Sequence, residues 1–170
     1  MPRMARAVAP GFPHYVLQRG NNRADVFFST EDSDVYLYLL KIYADKWNTP
    51  VISYCLMTDH VHLLVKPFSD MSLRKMMQGV ALCYTQHVNR KYKRTGRLWE
   101  SRYHSCIIDQ GSYLWAVARY IEQNPVRSMI VEYPEEYAYS GSRAHLELLQ
   151  DPVLGKSCSQ KDNGMNMLNL

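Results

Sequence analysis

Short β-favouring runs and longer stretches of helical periodicity alternate along this chain, with turn-forming residues between them. His14-Tyr15-Val16-Leu17-Gln18-Arg19 is the first short run, closed by the loop Gly20-Asn21-Asn22-Arg23. Thr30 stands where a helix cap belongs, and Glu31, Asp32 and Asp34 behind it set carboxylates at the positive end of a helix dipole. Val35, Leu37, Tyr38, Leu40, Ile42, Tyr43 and Trp47 follow at mostly helical spacing, and Asn48-Thr49-Pro50 stops the run. Val51 to Met57 and His60 to Val65 are β-rich and separated by Thr58-Asp59, which predicts a hairpin or one strand with a bulge. Ser69, Asp70 or Ser72 can cap a long second helix with Leu73, Met76, Met77, Val80, Cys83, Tyr84, His87 and Val88 on its apolar face. That helix closes in basic residues before Gly96. Tyr103 to Ile108 predicts a fourth strand. Ser112 opens a third helix through Leu114, Trp115, Val117, Ala118, Tyr120 and Ile121, which Pro125 should end.

The predicted order is β-α-β-β-α-β-α, an α+β chain. It fits a ferredoxin-like β-α-β-β-α-β sandwich with an antiparallel sheet and an additional C-terminal helix that bears Tyr120. Neither an internal repeat nor a second domain is visible. Residues 1–147 read as one domain, and the polar stretch 148–170, rich in Ser, Asn, Gln and Gly, reads as a flexible tail.

Composition adds little to this picture. With 46% apolar and 21% charged residues in 170, the chain has enough apolar matter for a core and is not of the disordered class. No apolar run approaches the roughly 18 residues of a membrane span. Met1 to Arg6 lacks the apolar stretch of a signal peptide, so a cytoplasmic location is expected. Cys55, Cys83, Cys106 and Cys158 are widely spaced, as befits reduced thiols.

Charge changes the picture more. Between Met71 and Arg102 eight basic side chains face one acidic one, a local +7 in a chain whose total is +4. Tyr84, Tyr92, Trp99 and Tyr103 are interleaved with them. Such a segment suits a polyanion whose bases can stack, or else a solvated helix face.

Two constellations carry candidate chemistry. In a strand, side chains two apart share a face, so His60 and His62 project together while Val61, Leu63 and Val65 fill the other side. Paired imidazoles on a stiff strand form a ready pair of metal ligands, although such pairs are often only hydrogen-bonded residues. Tyr120 and Asn124 stand four apart on a helix and therefore on one face, a phenol beside an amide oxygen. A tyrosine in an amphipathic helix is usually packing, and an asparagine before proline usually a terminator.

Taken together, these residues resemble a known family. Asp59-His60-Val61-His62-Leu63-Leu64-Val65 looks like the HUH motif (His, bulky apolar, His) of single-strand endonucleases. Arg119-Tyr120-Ile121-Glu122-Gln123-Asn124-Pro125-Val126 looks like the tyrosine helix of the one-tyrosine insertion-sequence transposases, especially their REP-associated branch. Pro2-Arg3 with Gln18-Arg19-Gly20-Asn21-Asn22-Arg23, Tyr54-Cys55-Leu56-Met57, and Gly96-Arg97-Leu98-Trp99-Glu100-Ser101-Arg102-Tyr103 match that branch as well. The likeness spans about residues 2 to 146 and fades in the tail.

The resemblance implies a ferredoxin-like fold, a Mg²⁺ or Mn²⁺ ion, and nicking and rejoining of single-stranded DNA through a 5′-phosphotyrosine, on strands that form hairpins. It makes Tyr120 the nucleophile and His60, His62 and Asn124 the metal ligands. Some relatives carry glutamine four residues after the tyrosine, whereas the REP-associated branch carries asparagine, so Asn124 is preferred to Gln123. A free phenol, with a pKa of about 10, is a poor nucleophile at neutral pH, and a metal on the phosphate answers that weakness.

Strand contacts need a basic track and stacking platforms. Arg19, Asn21, Asn22 and Arg23, with Arg3, are expected on one side. Lys91, Lys93, Arg94, Arg97, Trp99 and Arg102 are expected on the other, although Trp99 has a strong alternative as a core residue packed under the last strand. Relatives occur as monomers and as homodimers that exchange the tyrosine helix. Two other readings remain: a zinc site, for which no H-E-x-x-H or Cys pair supplies further ligands, and a non-catalytic single-strand nucleic-acid-binding module on the same fold.

Overall fold

The computed structural model describes residues 7–109 and 111–155. Four strands, β1 (His14–Arg19), β2 (Val51–Leu56), β3 (His60–Val65) and β4 (His104–Ile107), form one sheet in the order β2-β3-β1-β4. Every neighbouring pair is antiparallel. Helices α1 (Thr30–Lys46) and α2 (Ser72–Lys91) cross between strands, giving the ferredoxin-like β-α-β-β-α-β arrangement. Then come α3 (Ser112–Glu122) and the short helices α4 (Asn124–Arg127) and α5 (Ser142–His145). No helix among the described residues is long and apolar enough to cross a membrane.

The hairpin expected at Thr58-Asp59 is present, closed by the Met57 amide donating to the His60 carbonyl at 2.8 Å. β2 also carries a register shift between Val51 and Ser53. Three boundaries differ from the sequence expectation. Ser29, not Thr30, caps α1: its hydroxyl accepts from the Asp32 amide while the Asp32 carboxylate accepts from the Ser29 amide. Ser72 works from inside the first turn of α2, its hydroxyl donating to the Ser69 carbonyl. Pro125 does not act as the terminator. α3 ends at Glu122, and the proline occupies the first turn of α4, where its missing N–H costs nothing.

The β2–β3 half of the sheet is covered on both faces, so β2 and most of β3 are buried on both sides, whereas β4 is largely exposed. On one face Val61, Leu63 and Val65 join Leu40, Met76, Val80 and the rings of Tyr36, Tyr84 and Trp99 under α1 and α2. Those two helices approach closely at Gly79, where a Cβ would fall 2.1 Å from the Tyr43 ring. On the other face Leu64, Ile52 and Cys55 pack beneath Ala118 and Ile121 of α3. The wholly buried Asp32 ties α1 to α2, accepting hydrogen bonds from Tyr92, Lys91 and His87. Burial alone would raise its carboxyl; the bonds from Tyr92, Lys91 and the Phe28 amide outweigh that and hold it down to about 2.

The outer edge of β2 is covered by two later segments. Tyr139 and Gly141 exchange backbone bonds with Leu56 and Tyr54, and Leu154 bridges Val51 in parallel. Val153 is buried and Asp151 accepts from the Tyr54 hydroxyl, so residues 151–155, grouped with the tail by their polarity, are docked. Residues 156–170 lie outside the described residues, as does Arg3.

Candidate active site

Strand alternation puts His62 on the α3 face together with Leu64, opposite Val61 and Leu63. The His60 and His62 ring centroids are 4.7 Å apart at 81°. Asp59 bonds Nδ1 of His60. Nδ1 of His62 is 2.7 Å from the Tyr15 hydroxyl, while its buried Nε2 has no partner among the described residues. Burial, followed by the charges of His60 and Arg19, lowers the His62 pKa to about 3, so the ring is neutral at physiological pH. Burial likewise raises the Tyr15 phenol to about 12, so it keeps its proton. With both Nδ1 atoms engaged, Nε2 of each ring is the atom left for a ligand, in the way outer partners fix metal-binding histidines.

α3 brings Tyr120 to this pair. Its ring centroid is 6.4 Å from that of His62, at 90°, and 45% of the residue is exposed. Asn124 donates through Nδ2 to the carbonyls of Tyr120 and Ile121, at 3.0 and 2.9 Å. That caps the last turn of α3 and leaves Oδ1 as its ligand atom. Gln123 is the C-cap of α3 through its backbone. The buried orphan Nε2, the two rings and the free amide oxygen fit a hard divalent ion that keeps several sites for outside oxygens. A closed zinc site fits poorly, because among the described residues no three His, Cys, Asp or Glu side chains group to hold a metal.

What holds α3 in place is a buried polar mount absent from the sequence reading. Glu122 is 7% exposed, and its Oε1 accepts from Ser53 Oγ of β2 at 2.8 Å and from His145 Nδ1 of α5 at 2.6 Å. Arg127 was also missed. Its guanidinium carbon sits 4.7 Å over the centre of the Tyr120 ring. Tyr120, Asn124 and Arg127 are spaced four and three apart, one helical face. The spacing is present in the sequence, but a proline expected to end the helix separates Arg127 from Tyr120, and only its place in the first turn of α4 joins them.

The expected nucleic-acid residues divide. Arg19 lies opposite His60 in the β1–β3 register, and the turn Asn21–Arg23 follows it, with Asn22 and Arg23 in the left-handed region. Gly20 is required there by close approach, since a Cβ would fall 2.1 Å from the Ala24 carbonyl oxygen. Residues 98–100 pair with this turn: Asn21 donates to Leu98, Glu100 to Arg19, and Trp99 bridges Gly20. Exposed Arg97 and Arg102 therefore flank Arg19 and Arg23 at the histidine end of the sheet. Trp99 is no stacking platform: 7% exposed, it packs on Tyr36 and Tyr84. Lys91 is committed to Ser29, Glu31 and Asp32, and those carboxylates raise its pKa. Arg94 lies over Phe28, and Lys93 follows α2 in the left-handed region. On the α3 face of the sheet, α3 covers the β2–β3 half, whereas His104 and Cys106 of β4 stay exposed beside the half-buried Tyr15 and Leu17 of β1.

An α+β sheet of this order with a histidine pair beneath a tyrosine helix defines a class, and comparison with known proteins agrees. The family model described as "Transposase IS200 like" matches residues 13–124, and the chain belongs to that family. A REP-associated tyrosine transposase solved with a REP hairpin shares its fold, at a TM-score of 0.73 and 13% identity, over 99% of this chain and 100% of that one. A putative transposase from Deinococcus radiodurans matches at 18% identity and a TM-score of 0.47, over 72% of this chain and 97% of that one. No curated protein matches.

Proposed function

We propose that this transposase-family chain is a metal-dependent single-strand DNA endonuclease that nicks and rejoins hairpin-bearing strands through a 5′-phosphotyrosine on Tyr120. The observation that carries the reading is the edge-on approach of the Tyr120 ring to His62, at 6.4 Å, over a histidine pair whose inner Nε2 is buried without a partner. The solved relative with a REP hairpin supports a hairpin substrate.

In this reading the Tyr120 oxygen attacks the scissile phosphorus. The new bond joins that oxygen to phosphorus, the bond to the 3′ oxygen breaks, and the departing 3′ oxygen takes a proton from solvent to become a hydroxyl. The phenol proton passes to solvent. Return attack by a 3′-hydroxyl reverses these bonds, and the retained ester energy makes joining independent of ATP. His60 and His62 through Nε2 and Asn124 through Oδ1 would hold a Mg²⁺ or Mn²⁺ ion, which supplies Lewis acidity at the phosphate. Tyr15 and Asp59 orient the two rings. Tyr15, kept protonated by burial, does not compete as nucleophile. Arg19, Arg23, Arg97 and Arg102 track the strand backbone.

The test is a denaturing gel with 5′- and 3′-labelled hairpin-bearing strands taken from the gene's flanking DNA. Wild type should become linked to the 5′ side of the nick and release a free 3′-hydroxyl. Tyr120→Phe should bind and form no adduct. An adduct formed by Tyr120→Phe would remove Tyr120 from this role, and one formed at full rate in excess EDTA would remove the ion.

A further inference from the structure

The Tyr120–Asn124 face continues one step further than the proposed reaction uses. α4 is held on the end of α3 by the Arg127 and Ser128 amides, which donate to the Gln123 and Asn124 carbonyls at 3.0 and 2.9 Å. This continuation places the Arg127 guanidinium carbon over the Tyr120 ring, 4.7 Å from its centre. The guanidinium has no hydrogen bond or ion pair to any described residue, and the side chain is exposed. A guanidinium held over a ring in this way, with no hydrogen-bond partner among the described residues, keeps its N–H donors for an incoming group.

We propose that Arg127 is a catalytic phosphate clamp: lying over the phenol ring, it donates hydrogen bonds to the non-bridging oxygens of the scissile phosphodiester as Tyr120 attacks. The proposal rests on reading Tyr120 as the nucleophile. For attack, the phenol oxygen must come within about 3–3.5 Å of phosphorus. Any phosphate so placed brings its outer oxygens within side-chain reach of a cation lying on the same ring. A planar fork suits two oxygens of one phosphate better than an ammonium does. Charge accumulates on those oxygens as the new bond forms, so the contact strengthens toward the transition state and acts on rate more than on affinity. As an exposed side chain whose contact is with the half-exposed Tyr120 ring and which makes no hydrogen bond or ion pair to a described residue, Arg127 contributes little to the fold.

The experiment compares wild type with Arg127→Met, which keeps the stem over the ring but not the charge, and Arg127→Lys, which keeps the charge but not the fork. Each is given two hairpin strands in Mg²⁺, one natural and one with an uncharged methylphosphonate at the scissile position. On the natural strand, Arg127→Met should slow single-turnover adduct formation by about a hundredfold. Its affinity for uncleaved strand should stay within about threefold and its melting temperature should not change. Arg127→Lys should recover only part of the rate. On the methylphosphonate strand, which lacks the charge to be clamped, wild type and Arg127→Met should react at similar rates. An unchanged rate for Arg127→Met on the natural strand overturns the clamp, as does an equal defect on both strands, which would make Arg127 a support for the ring alone. A second arm needs no reaction: in Tyr120→Phe, the Arg127 guanidinium NMR signal should shift on binding the natural strand and not the methylphosphonate one. If that shift appears and wild type forms no adduct, the nucleophile reading fails and the phosphate contact survives. If it is absent, the clamp fails whatever the enzyme does.

Discussion

His145 Nδ1 lies 2.6 Å from Glu122 Oε1, deep beneath the helix that carries Tyr120. Ser53 Oγ donates to the same oxygen, so one carboxylate joins α3, β2 and α5. An apolar residue could bury that spot at less desolvation cost, but it would not fix how the helix is rotated over the sheet. Glu122→Ala leaves both donors unsatisfied and should destabilise the fold by about 2–3 kcal/mol. Under the proposed reaction it should also slow adduct formation at temperatures where the variant is fully folded, because small misplacements of a reacting group are costly. Urea melts and single-turnover gels on Glu122→Ala, His145→Ala and the double variant check this. The double variant should lose much less than the two single losses combined, and simple additivity would mean that the pair does not act as a unit.

The two histidines should part company in stability while sharing one effect on chemistry. The sequence places both on an open strand face, where either could be removed freely. α3 instead covers His62, which is 5% exposed and bonded to Tyr15. His62→Ala should therefore cost about 1–3 kcal/mol through the stranded Tyr15 hydroxyl and the lost packing, and His60→Ala should cost little. Both should abolish Mg²⁺-dependent nicking. Denaturant melts beside nicking assays decide the matter, and residual nicking at the wild-type rate in either variant would remove that ring from the ligand set.

The basic track should be separable from the basic helix end. Lys91 is spent on Glu31 and Asp32, whereas Arg23 and Arg97 are exposed beside the Arg19 turn. Removing Arg23 and Arg97 together should weaken binding of all single strands and flatten the salt dependence by roughly 0.7 per lost phosphate contact. Lys91→Ala should lower thermal stability and leave the salt slope alone. Fluorescence anisotropy at several salt concentrations measures the slopes, and a flattened slope for Lys91→Ala would return that lysine to the track.

The element order was legible because each strand and helix has its own period and punctuation. The histidine face was legible because a strand's period of two admits one answer. Less visible were relations made by distant residues. Glu122 meets Ser53 and His145 across 69 and 23 positions of chain, and no local pattern announces such a pair. Trp99 and Lys91 were drawn into the track by composition, which cannot tell a solvated cation from one paired across two helices. Arg127 is the instructive case: its spacing from Tyr120 is helical, and the proline between them was given more weight as a breaker than the first turn of a helix warrants.

Tyr120 meets His62 of its own chain, with α3 mounted on β2 of that chain through Ser53 and Glu122. If working molecules keep this arrangement, every site draws its tyrosine and its histidines from one polypeptide. Tyr120→Phe and His60→Ala should then each be inactive, and an equimolar mixture should stay inactive even after unfolding and refolding together. If α3 is exchanged between two copies, the refolded mixture contains hybrid pairs in which one site holds both an intact tyrosine and an intact histidine pair, and activity returns to about a quarter of wild type, as random pairing of two variants dictates. The gel for the tyrosine adduct reads the result directly, and sedimentation of the same samples reports whether pairs form. Recovery of activity would place the exchanged helix in the working assembly and would make the Glu122 mount a contact between copies.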